Sequence, residues 1–357
     1  MAHRPSEKCS EPHPPEPNRP ELHPPEPGLK SHRPILFTAV GSHTPLLDAF
    51  ARALGQRTSI HAADLRAEAP ALKAAGQTFR LPAYTHPGYS EQLLDLISSH
   101  RPAMLFPLHD YELMRQAAMR QAIEDLGTRL MLPEPQRLNW CHDKHRMASE
   151  WPTDHLRSLR PIPGWVDPHE ALEAVARGQC QFPLLLKPRL GSASLYMKRV
   201  DAPDALLNVH QSMAEHLPDE LLHLNYADQT PADRGLCVMR LNRHESILIQ
   251  PYLHPVMEWG FDVLSDSDGN VVDVWVKQKL EMRQGRTHRA LPVCRPGLMN
   301  VGVELGQWMR HPGNLDADVL SDQQGTLWLA DANPRFGGGY RFSDRFGARY
   351  PEFLISH

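Results

Sequence analysis

The sequence has few of the features that mark membrane, secreted and zinc-knuckle proteins. None of its apolar runs approaches the length that a membrane span requires, and the N-terminus carries no apolar signal region. The cysteines are few, odd in number, widely spaced and without a Cys-x-x-Cys pair, which argues against a disulfide scaffold and a zinc knuckle. They are Cys9, Cys141, Cys180, Cys237 and Cys294. We therefore expect a cytoplasmic protein with no membrane contact.

Strong charge and dinucleotide motifs are lacking as well. A formal net charge of -4 gives no reason to expect nucleic acid as a partner. No Gly-x-Gly-x-x-Gly fingerprint follows the first predicted strand, so a dinucleotide is not expected there. With 357 residues, 41% hydrophobic and 22% charged, the chain is long enough for two or three globular domains.

Residues 1–33 differ from the rest by their density of proline. The segment 11–20 is nearly repeated by the segment 21–28, and proline at this density forms neither a helix nor a central strand. We predict a disordered, polyproline-like tail. Such a composition is typical of a linker, and the alternative is a docking peptide for a proline-recognising partner.

From Pro34 onward, apolar runs alternate with helical patterns. Strand-type runs at 35–40, 59–63 and 104–107 are separated by helical patterns at 44–55 and 91–99, which predicts a parallel, doubly wound sheet. Ligands of such sheets gather at the carboxyl ends of the strands. The residues at these ends are Gly41, Ser42, His43, Thr44, Asp64, His109, Asp110 and Glu112. Each has the alternative interpretation of a helix cap or a polar loop group.

Two lysines and a loop of small residues occupy the middle of the chain. Lys144 opens a short helical stretch, and Lys187 stands at the end of the buried strand 182–188. The loop 191–194 and a strand at 195–200 follow. Backbone N–H groups of such a loop can close over a polyphosphate while an ammonium group supplies charge. The segment therefore favours a nucleotide site, provided that an acidic metal site lies downstream.

A predicted strand at 246–253 breaks at Pro251, which frees main-chain groups for an adenine edge. A hairpin follows from Glu258 to Arg283, with its turn at 268–270. The alternation of its return strand assigns Trp275, Lys277, Lys279, Glu281 and Arg283 to one face and Val272, Val274, Val276, Leu280 and Met282 to the other. The apolar face belongs in the core. The charged face is either solvated or binds phosphates or a carboxylate substrate.

The most informative segment is the run 331–340, which combines oxygen ligands, an arginine and three glycines. The stretch 318–331 predicts a hairpin that brings Asp318 beside Asp331 and Asn333. Asp331 and Asn333 are two positions apart, so their side chains share one face of an extended strand. Mg²⁺ is normally held by one or two carboxylates and substrate phosphates. The alternative is a polar strand end before a glycine-rich turn.

The order of these motifs resembles the ATP-grasp superfamily, most closely the branch of the carbamoyl-phosphate synthetase large subunit and the pyrrolysine-biosynthesis ligase. The similarity runs from Pro34 to Phe353 and includes Leu-Lys-Pro-x-x-Gly-Ser-Ala-Ser, Glu-Trp-Gly-Phe-Asp-Val and Asp-Ala-Asn-Pro-Arg-Phe-Gly-Gly-Gly-Tyr. It implies an α/β ATP-grasp fold with a Rossmann-like pre-domain at 34–137, a small lid domain at 138–204 and an antiparallel-sheet catalytic domain at 205–357. It also implies a carboxylate–amine ligase that forms an amide through an acyl phosphate and releases ADP and phosphate.

The resemblance also implies roles for particular residues. Asp318, Asp331 and Asn333 would hold Mg²⁺, or Mn²⁺ in its place, and Arg335 would lie beside the transferred phosphate. The charged face of the return strand adds Lys279 and Arg283 as further catalytic candidates. The ATP-binding set would be Lys144, Lys187, Gly191, Ser192, Ala193, Ser194, Gln250, Pro251, Tyr252, Leu253, Glu258 and Asp262. The candidate contacts to a small-molecule carboxylate and amine, amino acids among them, are His43, His109, Asp110, Glu112, Arg283 and Arg286. A homodimer is a reasonable expectation for this family.

Three departures from the family pattern leave alternatives open. Asp331 stands where the family usually has glutamate, Gln250 stands where an acidic residue is common, and the chain ends at His357, where many relatives continue. One alternative is an ATP-binding pseudoenzyme with weak catalysis. The other is an enzyme that phosphorylates a carboxylate without capturing an amine.

Overall fold

The computed structural model describes residues 33–56, 59–190, 196–222, 241–254, 257–283 and 286–356. The predicted tail, apart from Arg33, lies outside these residues, and so does the predicted phosphate loop of Gly191, Ser192, Ala193 and Ser194. No helix in the described ranges has both the length and the apolar character needed to cross a membrane.

The first part of the chain forms a five-stranded parallel sheet in the order β3-β2-β1-β4-β5, which confirms the predicted doubly wound arrangement. Its strands are β1 Ile35–Thr38, β2 Ile60–Asp64, β3 Gln77–Arg80, β4 Met104–Pro107 and β5 Arg129–Leu130. Its helices are α1 Thr44–Leu54, α2 Tyr89–His100, α3 Asp110–Ala118 and α4 Arg120–Asp125, with a 3₁₀ turn at Pro70–Ala74. Strand β3 was not predicted, because it is polar and mostly exposed and therefore lacks an apolar run.

The middle of the chain forms a three-stranded antiparallel sheet in the order β8-β7-β9; β7 and β8 fall within the predicted lid range 138–204, whereas β9 lies beyond it. Its strands are β7 Leu184–Pro188, β8 Lys198–Val200 and β9 Ile247–Pro251. The helices around it are α5 Pro135–His142, α6 Lys144–Ser149, α7 Pro168–Ala176 and α8 Pro203–His216, with a 3₁₀ turn at Asp219–Leu221. Strand β8 begins three residues later than the sequence pattern predicts.

The last part forms a six-stranded sheet in the order β12-β11-β10-β13-β14-β6, whose pairs are antiparallel except for β14 with β6. Its strands are β6 Arg160–Pro161, β10 Met257–Ser265, β11 Val271–Arg283, β12 Arg286–Val293, β13 Gly313–Ser321 and β14 Leu327–Asn333. Its helices are α9 Pro296–Met309, α10 Tyr340–Phe346 and α11 Tyr350–Ser356. Helix α9 packs closely on the sheet, since a Cβ atom at Gly302 would lie 2.3 Å from Val274.

An aromatic cluster joins the first sheet to the end of the chain. The ring of Phe336 lies 5.8 Å from that of Phe50 on α1 and 5.9 Å from that of Phe106 on β4. Phe336, Tyr340 and Tyr350 belong to the same buried core as the first sheet. This packing, worth about 1.5–3 kcal/mol for a buried ring, fixes the run after Asn333 against the carboxyl ends of the parallel strands.

Asp262 lies in the interior of the large sheet, not beside a ribose as the resemblance implies. Its side chain is fully buried, pairs with Lys277 and accepts a hydrogen bond from Asn314 Nδ2 at 3.2 Å. Ser343 also donates to this carboxylate. Asp262 is therefore a structural partner of a buried lysine.

Replacing Asp262 by alanine should lower the free energy of unfolding by about 3–5 kcal/mol, because the Lys277 ammonium would remain buried without its counter-charge. Denaturant unfolding followed by circular dichroism measures this loss. The matched control is Asp268→Ala in the exposed turn of the same hairpin, which should unfold like the wild type. A folded Asp262→Ala protein of normal stability whose KM for ATP alone is raised would instead support the ribose role.

Candidate active site

The hairpin of β13 and β14 forms the predicted acidic site. Asp318 lies opposite Asp331, and Asp316 lies opposite Asn333. The four side chains line one cleft of about 440 Å³ between the first sheet and the large sheet, a volume that suits a small ligand. The prediction that pairing brings Asp318 beside Asp331 and Asn333 is confirmed.

Cations from several elements contact these carboxylates. Lys279 Nζ lies 2.5 Å from Asp318 Oδ1, and it also lies 3.4 Å from Glu258 Oε1 on the neighbouring strand. Lys144 Nζ lies 3.5 Å from Asp331 Oδ1. The Lys144 contact joins α6, beside the three-stranded sheet, to β14 of the large sheet. The predicted phosphate lysine and the predicted metal ligand therefore meet.

Arg335 forms the third cationic contact of the cleft. Its Nε lies 2.5 Å from Asp110 Oδ1 at the start of α3, and its Nη1 lies 3.8 Å from Asp316 Oδ2. Burial raises the pKa of Asp110, but the guanidinium outweighs burial and holds that pKa well below its usual range. Asp110 therefore stays ionised and orients Arg335 along the cleft.

Lys187 completes a cluster with Lys144 and Asp331. Burial, followed by the neighbouring Lys144, lowers the pKa of Lys187 to about 7, and Asp331 opposes this shift. The second predicted phosphate lysine is thus close enough to both groups to interact electrostatically with them. It does not face away from the acidic site.

Asp143 is the residue that places the two lysines together. Its carboxylate accepts hydrogen bonds from the backbone N–H groups of His145 and Arg146 and so caps α6. The same carboxylate accepts two bonds from Arg189, at 2.8 and 2.7 Å, just after β7. This bidentate pair ties the end of the strand that carries Lys187 to the start of the helix that carries Lys144.

Binding of a polyphosphate should shift the protonation equilibrium of Lys187 towards the charged ammonium form. At pH 8 a group with a pKa of about 7 is mostly neutral, so Mg²⁺-ATP binding should be accompanied by proton uptake, whereas at pH 6 the uptake should be small. Calorimetry in two buffers of different ionisation enthalpy measures the number of protons. The Lys187→Arg variant carries its charge at every pH, so it should bind nucleotide without this uptake. Equal proton uptake by the wild type and by Lys187→Arg would contradict the placement of Lys187 beside the bound phosphates.

The glycines after Arg335 are required by close approach. A Cβ atom at Gly337 would lie 2.1 Å from Asp316 Oδ2, and one at Gly339 would lie 3.0 Å from the Lys277 side chain. These contacts leave no room for a larger residue at Gly337. The glycine run therefore allows the backbone to approach the floor of the cleft.

The donor set of the cleft suits a hard divalent cation. Asp318, Asp331 and Asn333 offer only oxygen atoms or an amide, and Asp316 adds a carboxylate whose pKa is raised by burial, then by Asp318 and Asp262. Within the described ranges, no three His, Cys, Asp or Glu side chains converge at ligating spacing. Substrate phosphates and water would have to complete the coordination, which is usual for Mg²⁺.

The predicted adenine segment leaves its strand as expected. Gln250 is paired with Leu185 in the sheet, and its side-chain Nε2 donates to the carbonyl of Ile162 at 3.1 Å. The Tyr252 N–H donates to the carbonyl of Pro183 at 3.0 Å. The side chain of Gln250 is therefore used internally, and adenine binding by Pro251, Tyr252 and Leu253 stays a prediction.

A β-bulge changes the predicted faces of β11. The register with β12 shifts between Lys279 and Glu281 and again before Met282, so the strict alternation ends there. Leu280, predicted to lie in the core, is 43% exposed, and Met282 lines the cleft instead. Arg283 projects from the exposed end of the hairpin and pairs with Glu281. The structure thus does not bring Arg283 to the site.

Alanine at Arg283 should change kcat/KM by less than about twofold, since an exposed ion pair is worth little and the residue does not line the cleft. Steady-state ADP release by the wild type and the variant measures this. A decrease of kcat/KM by tenfold or more would support the catalytic role predicted for Arg283 from the sequence.

The structure places the other candidate substrate contacts differently. His43, His109 and Asp110 line the cleft, as expected. Glu112 does not, because it is buried and accepts hydrogen bonds from Tyr89 and Thr38 on the far side of α3. For Arg286 the structure describes the backbone alone, as the first residue of β12.

Sequence reasoning missed several residues that line the cleft. Asp316 could have been found, since it is two positions before Asp318 and so shares its strand face. No local sequence pattern indicates that Met282, Thr287 and Arg341 line the cleft. The β11 bulge and the packing of α10 bring these residues to it.

Comparison with known proteins gives a family match for the N-terminal region and solved structures of similar fold. Residues 35–131 match the PylC-like, N-terminal domain family. The biotin carboxylase domain of the Hydrogenobacter thermophilus 2-oxoglutarate carboxylase, in complex with MgADP, ADP and bicarbonate, has 14% identity and a TM-score of 0.66, covering 90% of this chain and 69% of that chain. N5-carboxyaminoimidazole synthetase from Staphylococcus aureus has 12% identity and a TM-score of 0.62, covering 91% of this chain and 79% of that chain. Comparison with curated proteins gives no match.

Both of these similar structures are ATP-grasp enzymes, and at 12–14% identity the likeness concerns the fold. The N-terminal match agrees with the resemblance to the pyrrolysine-biosynthesis ligase. The chain therefore has the ATP-grasp fold, with an N-terminal region that matches the PylC-like family.

Proposed function

We propose that the protein is an ATP-dependent carboxylate–amine ligase that forms an amide through an acyl phosphate and releases ADP and phosphate. The observation that carries this proposal is that Asp318, Asp331, Asn333 and Arg335 line one cleft and that Lys144 contacts Asp331. These are the groups that phosphoryl transfer needs, since it depends on positioning and charge neutralisation. The similar carboxylase domain was solved with MgADP, which supports ATP and Mg²⁺ as cofactors here, with Mn²⁺ as an alternative.

The residues around the cleft would have different roles in phosphoryl transfer, according to their positions. Asp318, Asp331 and Asn333 would hold the cation, which when bound neutralises charge on the phosphates. Lys144 and Lys187 would bind phosphate oxygens from the other side. Arg335, oriented by its ion pair with Asp110, would stabilise the negative charge of the transferred phosphoryl group.

Covalent catalysis by the protein has no role in this scheme. The buried Cys141 has its pKa raised by burial and by Asp331, so it is a poor nucleophile. The substrate carboxylate would attack the γ-phosphate, and the amine would displace phosphate from the acyl phosphate. The loop 191–194, outside the described residues, is the proposed cover that excludes water from this intermediate.

The division into domains follows from the same scheme. We propose a pre-domain at 34–137, a lid domain at 138–204 and a catalytic domain at 205–357, with β9 as a strand that the later segment adds to the lid sheet and β6 as a strand that the lid segment adds to the large sheet. The substrates would be a small carboxylate and a small amine, bound near His43, His109 and Asp110. The similar carboxylase domain forms a dimer, which supports a homodimer here, and a cytoplasmic location completes the proposal.

Product analysis tests this function. Purified protein with Mg²⁺-ATP should release ADP and phosphate when the correct carboxylate and amine are both present, and pairs of amino acids are the first panel to screen. Release of AMP and pyrophosphate would place the protein among adenylating ligases. ADP formation with the carboxylate alone, unaffected by any amine, would identify an enzyme that phosphorylates a carboxylate without amine capture. Nucleotide binding without turnover under any pair would identify a pseudoenzyme.

A further inference from the structure

Arg341 lines the same cleft, but in the described part of the chain its guanidinium contacts no carboxylate, whereas Lys277, Lys279 and Arg335 each do. We propose that Arg341 binds a substrate carboxylate that the reaction does not consume, an inference that rests on the ligase function proposed above. It follows that one of the two substrates carries a carboxylate in addition to its reacting group. The argument depends on the charges of the cleft, on the contacts of Arg341 and on the strand order.

Arg341 differs from the other lysine and arginine side chains that line the cleft, because it has no acidic partner in the described ranges. Three other cations that line the cleft each contact an acidic side chain; the pairs are Lys277 with Asp262, Lys279 with Asp318, and Arg335 with Asp110. Arg341 forms no ion pair with any acidic side chain of the described ranges and is the remaining arginine of the lining. A bound anion would supply the counter-charge.

The contacts of Arg341 hold it in place and leave part of its guanidinium without a hydrogen-bond partner in the described ranges. Its Nη2 donates to the carbonyl of Thr287 at 2.9 Å, and its guanidinium lies 4.8 Å from the ring centre of Phe342. Its Nε is buried and has no hydrogen-bond partner among the described residues. The Nη1 group is not buried and forms no hydrogen bond with a described residue, so a carboxylate bound in the cleft would accept from it. The arginine fork matches a carboxylate, which can accept two parallel bonds.

The strand order separates Arg341 from the acidic site. Arg341 is anchored on Thr287 of β12, whereas Asp318 belongs to β13, and β11 and β10 lie between these strands. Three inter-strand spacings correspond to about 14 Å. After the reach of the arginine is subtracted, a small molecule with two functional groups can span this distance. Thr287 and Met282, which face each other in the hairpin, would line its path.

Two sources fit this chemistry. The unconsumed carboxylate belongs either to an amino acid that supplies the reacting amine or to a dicarboxylic acid that supplies the reacting carboxylate. For the pair that releases ADP in the amino-acid screen, each substrate is replaced in turn by its carboxamide analogue. The substrate whose carboxamide still reacts, but with a raised KM, is the one that carries the unconsumed group.

Arg341→Met and Arg341→Lys test the assignment. We expect Arg341→Met to raise the KM of that substrate by about 10-fold to 100-fold, since it loses a hydrogen-bonded charge partner, and to leave the KM for ATP within about twofold. In this variant the acid and its carboxamide should have equal KM values. Arg341→Lys should recover part of the preference, which a merely structural arginine would not show. Arg345→Met, on the exposed face of the same helix, is the matched control and should behave as the wild type.

The outcomes separate this inference from the ligase function. Retention of the full acid-over-carboxamide preference by Arg341→Met would overturn the inference, as would a productive pair that has no carboxylate beyond the reacting one. In both cases ADP release would still support the ligase. The absence of ADP release with every pair, or release of AMP instead, would overturn both proposals.

Discussion

Replacement of Lys187 by methionine is expected to lower kcat/KM for ATP by about 100-fold or more. Lys187 is half-buried next to Lys144 and Asp331, where a dielectric below that of water makes its charge effective on a bound phosphate. Removal of a preorganised charge partner of a transition state has effects of this size. Steady-state ADP release over a range of ATP concentrations measures the loss.

The control for Lys187→Met is Lys198→Met, which removes an exposed lysine from the neighbouring strand β8 of the same sheet. It should retain full activity. Circular dichroism and thermal unfolding of both variants show whether the fold is kept. A correctly folded Lys187→Met protein with normal kcat/KM would remove Lys187 from the site and would leave Lys144 as the sole proposed phosphate lysine.

Replacement of Asn333 by alanine should cause the second large loss, about 100-fold in kcat, with a higher Mg²⁺ concentration needed for half-maximal activity. Asn333 lies opposite Asp316 at the end of β14 and lines the cleft, so its amide oxygen is available to the cation. Titration of activity with Mg²⁺ at saturating ATP separates weaker metal binding from a lost fold.

Asn300→Ala, an exposed asparagine on α9, is the matched control for this variant and should keep the Mg²⁺ dependence of the wild type. If Asn333→Ala has lower kcat but an unchanged Mg²⁺ dependence, Asn333 positions substrate and does not ligate metal. If both parameters are normal, the metal assignment at the end of β14 is wrong.

The hairpin of β13 and β14 shows what the sequence could predict. The stretch 318–333 has local alternation and a Gly-containing turn, and these fix both the pairing and the shared face of Asp331 and Asn333. The alternation of strands and helices in 34–107 likewise predicted the parallel sheet. In each case the information is local, because period and turn chemistry depend on residues close together in the chain.

Arg283 and Asp262 show what local patterns could not predict. Arg283 was assigned to the site because strict alternation places it on the same face as Lys279. The bulge in β11 ends that alternation, and the bulge depends on the pairing of β11 with β12, which the sequence of β11 alone does not reveal. The error at Asp262 arose because its burial depends on Lys277, Asn314 and Ser343, three partners far apart in sequence. An acidic residue on a strand has the same pattern whether it faces a ligand or a buried lysine.

The sequence by itself determined the strand and helix periods, the acidic hairpin and the lysines at the strand and helix ends, since each follows from neighbouring residues. Only the tertiary structure decided which of these groups share a cleft. The ion pair of Arg335 with Asp110 and the contact of Lys144 with Asp331 join segments that are distant in sequence. Such contacts form when separate apolar faces pack together, as Phe336 does with Phe50, and packing between layers is a property of the whole chain.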